Sequence, residues 1–316
     1  GGWHYVGVGT TTAAENATLL SGDREYLEFH RSQLDTLVEN GIERGDTLHV
    51  PHKHGADGDY HYNGSGLRDD DGEITWRDGW YEFNPHRDDP YLFHLWYMSQ
   101  DDADRRRVEA LRDYDEQPWQ QVDVRPDSKH GAGEEWAWLA YLDGEFPAYP
   151  ERVLSAARAK IQTRLDGLRE EGREPETLTE DYLRDRNPVF HRGLLQTTMG
   201  APQPVYYGGL VMAQVRHFAP ERERPGLPPG TGALVERVDS EGIDMTLANA
   251  GSRDREVVVQ AGAYGEHQFT TVRRGGADLR VDADALTVSL PSGTRVSLSA
   301  EVDRFVNDPS YALPWD

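Results

Sequence analysis

Residues 130–154, HGAGEEWAWLAYLDGEFPAYPERVL, contain the pattern that decides the predicted fold. The residues from Glu134 to Leu142 are rich in apolar side chains, as in a packed helix, and a short polar turn leads into a second helical pattern from residue 150. A short connection between two helices favours antiparallel packing. This stretch therefore predicts a helical hairpin.

The hairpin pattern recurs along the first two thirds of the chain. It occurs in residues 11–41, in residues 90–114 and, more weakly, in residues 178–199, and an apolar segment follows at 208–218. Residues 45–89 form a long insert that is rich in Gly, Asp, His, Tyr and Trp. A loop of this length inside a compact domain is usually functional or disordered, and its aromatic residues argue against disorder.

The period changes after residue 225, where apolar and polar residues alternate. The alternating segments are ALVERVD, IDMTLANA, REVVVQAG, HQFTTVRR, ALTVSLP and TRVSLSAEV. Short alternating segments separated by Gly, Asp and Ser turns are typical of a small antiparallel β-sandwich. The sequence therefore predicts a helical-hairpin domain over 1–225 and a β-sandwich domain over 226–316.

The composition excludes several partners. The chain has 56 acidic and 33 basic residues and a net charge of −23, which disfavours binding to nucleic acid or to an anionic membrane surface. Arginine greatly outnumbers lysine; such an acidic, Lys-poor surface suggests adaptation to high salt, although a GC-rich genome is an alternative explanation. With no cysteine there is no disulfide, and no apolar run approaches the roughly 20 residues of a membrane span. Residues 1–10 lack the features of an export signal, but an upstream segment could have carried one, so the localisation stays open.

Three segments carry a resemblance to known proteins: residues 130–154, RNPVFHRGLLQTTMGAPQPVYYGGLVMAQVRHF and VVVQAGAYGEHQFTTV. They are similar to segments of uncharacterised proteins that combine helical hairpins with a β-sandwich. That layout resembles the (α/α)-toroid carbohydrate-active enzymes, which include six-hairpin glycoside hydrolases and toroid polysaccharide lyases. The chain has fewer hairpins than a complete ring, so the resemblance implies that an upstream segment or another chain completes the toroid.

For glycoside hydrolysis, the resemblance directs attention to acids beside aromatic residues that line a cleft. Glu134 shares a helical stripe with Trp138 and Tyr141, which makes Glu134 the first acid or base candidate and Glu135 the second. Asp59, in the insert, is the predicted second carboxylate, and the two carboxylates would lie ~5–5.5 Å apart for retention or ~6.5–9.5 Å apart for inversion. A purely structural alternative is that acids in the first turn stabilise the helix dipole.

The remaining candidates would bind the sugar or remove a proton from it. The predicted substrate-binding residues are Tyr62, Trp80, Glu82, Arg87, Trp136, Trp138, Tyr206 and Tyr207. A uronate lyase is the alternative reaction, and it needs a His or Tyr base together with a group that neutralises the uronate. His61, His130, Tyr62 and Tyr206 are the candidate bases, and Arg87 and Arg192 could pair with the uronate carboxylate.

The insert also contains a group of potential metal ligands around His52, His54 and Asp57. Their spacing matches no established ligand pattern, so we predict no cofactor. The expected partner is an oligosaccharide or polysaccharide. A non-catalytic glycan-binding or assembly subunit is the alternative from another class, and a toroid enzyme that acts on terpenoids ranks last.

Overall fold

The structure is a computed structural model of the 316-residue chain. The ranges that it describes are 10–51, 67–68, 74–75, 80–83, 85–114, 119–120, 122, 124, 134–180, 182, 186–202 and 209–315.

Helices occupy much of the described chain before residue 200. They are α1 (Thr10–Ser21), α2 (Leu27–Glu39), α3 (Pro85–Ser99), α4 (Asp102–Arg112), α5 (Glu134–Leu142), α6 (Tyr149–Arg169) and α7 (Arg192–Met199). α3 lies at the centre of this region and packs against α2, α4 and α5. α5 packs in turn against α6, and α6 against α7.

Close approach between α6 and α7 depends on Gly193. A Cβ atom at this position would lie 2.5 Å from Cγ2 of Val153 on α6, which is far inside van der Waals contact. The Tyr149 hydroxyl at the start of α6 donates a hydrogen bond to Oε1 of Gln196 on α7. These contacts fix the first turn of α7 against the helical core.

An ionic network joins α2 to α4. Arg31 contacts Asp104, with Nη2 2.8 Å from Oδ2, and Arg107 contacts Asp35 and Asp104. Burial raises the pKa of the Asp104 carboxyl, but Arg31, Ser99 and Arg107 outweigh burial and lower it below its usual value. The fully buried Asp104 is therefore held as a carboxylate between two helices.

Short strands lie within the region that the sequence analysis treated as a long insert. β1 (Ile42–Arg44), β2 (Thr47–Pro51) and β5 (Trp80–Glu82) form an antiparallel sheet in the order β1-β2-β5. β3 (Leu67–Arg68) and β4 (Ile74–Thr75) pair as an antiparallel ladder. The described parts of residues 45–89 thus contain regular structure.

Residues 209–315 form a β-rich region of two antiparallel sheets. Its strands are β6 (Val215–Ala219), β7 (Arg224–Pro225), β8 (Thr231–Val238), β9 (Gly242–Asn249), β10 (Arg255–Ala261), β11 (Gln268–Arg274), β12 (Ala277–Ala283), β13 (Ala285–Leu290) and β14 (Arg295–Asp303). The sheet orders are β13-β10-β6-β7 and β12-β11-β14-β9-β8. In β9 the alternating residues Ile243, Met245 and Leu247 are buried, as a strand with one face on a core requires.

The helices and the sheets share one hydrophobic core. The Tyr141 hydroxyl on α5 donates to the carbonyl of Val235 on β8 at 3.2 Å, and α7 packs against β8 and β6. His217 Nε2 on β6 lies 2.7 Å from the carbonyl oxygen of Thr198 on α7. The apolar segment at 208–218 ends in this strand, and β6 and β7 join the sheets before the boundary predicted at residue 225.

The predicted fold class, an (α/α) toroid followed by a β-sandwich, is wrong. In the described part of the chain the helices pack in an open series that ends where α7 and α5 meet the sheets, and they do not form a ring. α5, which was expected to present one face to a central cleft, is buried from Glu134 to Tyr141. The physical reason is that β8 covers the side of α5 that an inner toroid helix would leave open.

Candidate functional site

Two adjacent carboxylates lie in the first turn of the buried helix α5. Glu134 is 2% exposed and Glu135 is fully buried. Removing a carboxylate from water costs several kcal/mol even after the protein relaxes, whereas a helix dipole returns only about 0.3–1 kcal/mol to an acid in the first turn. Stabilisation of the dipole therefore does not account for the burial of both acids.

Glu134 forms an ion pair with Arg192, the first residue of α7. Nη1 of Arg192 lies 3.3 Å from Oε2 of Glu134, and both side chains are almost completely buried. The close packing of α7 on α6 at Gly193 brings the guanidinium to this position. A buried cation at this distance favours the ionised form of a carboxylic acid.

A cluster of aromatic rings joins α3 to α5, the helix that carries Glu135. The Trp138 ring centroid is 5.2 Å from that of Tyr97 and 5.6 Å from that of Phe93. Burial raises the pKa of the Tyr97 phenol well above its usual value; Arg304 and Gln214 act in the other direction, and the negative charge of Glu135 adds to the increase. The two adjacent carboxylates thus have different surroundings: Glu134 pairs with a guanidinium, and the charge of Glu135 acts on a buried phenol.

A second buried ionic group connects α1, α2 and α3. Oε1 of Glu15 lies 3.2 Å from Nδ1 of His30, and Oε2 of Glu15 lies 3.4 Å from Nδ1 of His94. Burial raises the pKa of the Glu15 carboxyl, but His94 and His30 outweigh burial and lower it from 4.5 to about 2. A carboxylate that contacts an imidazole nitrogen orients the ring, and an oriented imidazole is a candidate for general acid–base catalysis.

Two of the predicted stacking residues lie in the core. Trp136 and Trp138 are fully buried, and the Trp136 ring packs against Trp119 with the centroids 5.1 Å apart. Their ring faces are covered by protein in this structure.

The structure places the other predicted site residues only in part. Trp80 and Glu82 lie on β5, where they pair with Pro51 and His49, and Arg87 lies in the first turn of α3. The predicted residues that lie outside the described part of the chain are Asp59, His61, Tyr62, His130, Tyr206 and Tyr207, together with the potential metal ligands His52, His54 and Asp57.

Sequence reasoning missed the Glu15, His30 and His94 group. His94 is a single polar residue in the otherwise apolar run YLFHLWYM, and this interruption was a usable signal. His30 occupies a core position in the apolar pattern of α2, but nothing in the local pattern connects it with Glu15. Glu15, His30 and His94 lie on three different helices, so only the fold shows that they are in contact.

The described residues contain neither a metal-binding cluster nor a membrane-spanning helix. No group of three or more His, Cys, Asp or Glu side chains in that part of the chain is arranged to hold a metal ion. Among the described helices, each is too short or too polar to cross a bilayer.

The fold and the buried ionic groups define a helical domain that is joined to a β-rich region. The chain belongs to the family defined by a domain of unknown function (DUF8034), whose model matches residues 1–195. That match includes every residue of the two buried ionic groups and ends before the sheets of residues 209–315 begin. No curated protein and no solved structure matches the chain.

Proposed function

We propose that this protein is a carbohydrate-active enzyme that hydrolyses glycosidic bonds, with Glu134 and Glu135 as its acid and base. The observation that carries the proposal is the burial of both carboxylates in one helical turn, at a cost that the helix dipole does not offset. Ionisable groups that are retained against stability are candidates for a functional role.

The surroundings of the two carboxylates support different roles. Glu134 faces the Arg192 guanidinium, which suits a carboxylate that acts as base or nucleophile. Glu135 is fully buried, and burial suits a carboxylic acid that acts as the proton donor. Glycoside hydrolysis requires this kind of division, because one acid protonates the leaving oxygen while the other carboxylate attacks or activates water.

The choice of carbohydrate as the substrate comes from the sequence, which combines acids with aromatic residues in α5 and in the insert. Since Trp136 and Trp138 are covered, their role in the proposal changes from stacking on a sugar to supporting the acids. Phe93, Tyr97 and Trp138 pack against one another between α3 and α5, which fixes the helix that carries both acids.

The test is an assay of the purified chain against neutral and uronate-containing glycans at low and at high salt. Reducing ends and the absorbance of a new double bond are recorded together. We expect reducing ends without new absorbance, and a loss of about 100-fold or more in E134Q and in E135Q. E151Q is the matched control, because Glu151 lies in the first turn of α6 but is exposed.

A uronate lyase is the second candidate, and the Glu15, His30 and His94 group favours it. A lyase needs an oriented base, and Glu15 contacts two imidazoles that could serve. New absorbance in the assay, lost in H94Q and retained in E134Q, would establish the lyase and overturn the hydrolase. Saturable glycan binding with no turnover would favour a non-catalytic subunit and contradict both reactions.

A further inference from the structure

A second polar site lies in the β-rich region, far along the chain from α5. A pocket of about 510 Å³ opens between the C-terminal segment after β14 and the connection from β12 to β13. Gln260, near the end of β10, lies at its base, and Tyr264 and Gly265 of the following turn line one side. This volume falls within the range of pockets that bind small molecules.

Gln260 provides the amide group of this site. The residue is 4% exposed, lies among the buried residues of β10 and pairs normally through its backbone in the sheet. Its side chain lines the pocket, and its amide does not belong to the buried polar groups that lack a partner. The amide can therefore bond to whatever fills the pocket, water or a ligand, and a ligand that replaces the water keeps these hydrogen bonds.

The turn after β10 keeps the amide accessible from the pocket. Gly265 has a φ of +68°, and a Cβ atom there would lie 3.1 Å from Nε2 of Gln260 and 3.1 Å from Oδ2 of Asp284. The amide and the carboxylate therefore border the same small space, which any side chain at position 265 would fill. The C-terminal segment is fixed beside it, because Asn307 Nδ2 donates to the carbonyls of Gly265 and His267, at 3.0 Å each.

The charge of the pocket limits what it binds. Asp282, Asp284 and Asp308 line it, and its lining contains no Lys or Arg. Carboxylates repel an anion, which excludes uronates and phosphorylated compounds. Arg280 already pairs with Asp282, which weakens the case for a free cation and leaves the Asp284 carboxylate and the Gln260 amide to be bonded.

A hydroxyl group meets both requirements, because it donates to a carboxylate and accepts from an amide. We propose that this pocket binds a neutral sugar unit through Gln260 and Asp284, separately from the carboxylates of α5. The choice of a sugar among neutral hydroxyl compounds rests on the proposed function. The site itself rests on the pocket and on the buried amide.

The test is calorimetric titration of the full chain with a series of neutral monosaccharides and disaccharides and their uronate counterparts. Wild-type protein should bind a neutral sugar saturably and its uronate counterpart at least about tenfold more weakly. Q260M preserves the volume of the side chain and should lose at least about tenfold in affinity while its thermal stability stays the same or rises. Q162M is the control, because Gln162 is exposed on α6, and its affinity should match that of the wild type.

A second variant keeps the test decisive if Q260M does not fold. The triple variant D282N/D284N/D308N changes exposed residues and should narrow the preference for the neutral sugar over the uronate. No saturable binding of any neutral sugar, unchanged affinity in Q260M, or tighter binding of the uronate by the wild type would each overturn the inference.

The failure of this inference can be distinguished from the failure of the proposed function. Sugar binding that is lost in the E134Q/E135Q double variant and retained in Q260M would overturn the pocket and support the site on α5. Binding that is lost in Q260M and retained in the double variant would establish the pocket, whether or not any glycan is hydrolysed.

Discussion

The helical region and the β-rich region each bury a glutamate, and the two side chains behave in opposite ways. Glu15 in the helical region and Glu266 in the turn between β10 and β11 are both 1% exposed. Two imidazoles contact Glu15 and lower the pKa of its carboxyl to about 2, although burial acts in the other direction. Glu266 accepts hydrogen bonds from the backbone N–H groups of Ala263 and Tyr264, and burial raises its pKa.

The difference lies in the kind of partner. The helical region pairs buried charges with other charged side chains, as in Glu134 with Arg192 and Asp104 with Arg31. In the β-rich region, the backbone N–H groups of its own turn bond to Glu266, whereas the His267 imidazole lies farther away, with Nε2 3.9 Å from Oε1. Arg304 acts on Glu266 only through its charge, and burial outweighs it. Buried ion pairs between helices perturb the groups that a catalytic site uses, so they are candidates for catalysis. A glutamate that is bonded to the backbone of its own turn stabilises that turn.

The largest expected effect comes from breaking the pair on α5 and α7. R192M leaves Glu134 buried without the guanidinium that lies 3.3 Å away, and we expect the free energy of unfolding to fall by about 3–5 kcal/mol. Urea denaturation measures the change. R158M is the control, because Arg158 is exposed on α6.

The double variant R192M/E134L sharpens this result. If the cost of R192M comes from an uncompensated charge, an apolar pair at both positions should recover most of it. A double variant that is less stable than R192M would show that packing, and not charge, explains the loss.

An intermediate effect is expected at Glu15, and it depends on pH. The folded-state pKa of about 2 lies below the ordinary value of 4.5, so the carboxylate stabilises the fold above pH 4.5, and this stabilisation is lost as the pH falls towards 2. The difference corresponds to about 3 kcal/mol. We expect E15Q to be less stable than the wild type at neutral pH and to converge with it near pH 2, as measured by urea denaturation across this range. Curves that stay parallel would contradict the role of the two histidines.

The smallest expected effect is at Glu266, and it has the opposite sign. Its raised pKa means that burial of the protonated form contributes stability below pH 4.5, and that this contribution is lost as the pH rises through the folded-state pKa. In E266Q, stability should fall less as the pH rises. Thermal unfolding between about pH 4 and pH 8, read at about every half pH unit, measures this dependence. A decline as steep as that of the wild type would remove the contrast between the two glutamates.

The sequence predicts individual strands well because their pattern is local. β9 alternates between buried and partly exposed residues, and alternation over a few residues is enough to identify such a strand. β8, β9, β10, β11, β13 and β14 coincide with the six segments that alternate in sequence. β12, ADLRVDA, also alternates between apolar and polar residues but was missed by the sequence analysis, and in the structure it is mostly exposed.

The arrangement of the helices could not be predicted in the same way. α5 is buried around its circumference, so its sequence has no polar face that would show its orientation. The stripe of Glu134, Trp138 and Tyr141 was interpreted as one side of a cleft, but Tyr141 bonds to β8 and Trp138 packs on α3. Such partners are distant in sequence, and periodicity carries no information about them.

For the candidate site residues, too, local sequence patterns could be predicted and contacts between residues distant in sequence could not. Glu134 and Glu135 could be selected from sequence because two acids precede a run of apolar and aromatic residues. The Arg192 ion pair and the contact of Glu15 with His30 and His94 join residues that lie far apart in the chain. They became visible only with the fold.

The most direct test of the central claim compares activity and stability in a single variant, E135Q. The account predicts that E135Q still folds cooperatively, as urea denaturation would show, and loses about 100-fold or more of its hydrolytic activity on the glycan that the wild type cleaves. An E135Q protein that hydrolyses this glycan at the wild-type rate and unfolds more easily would contradict it, because Glu135 would then be buried for the fold alone.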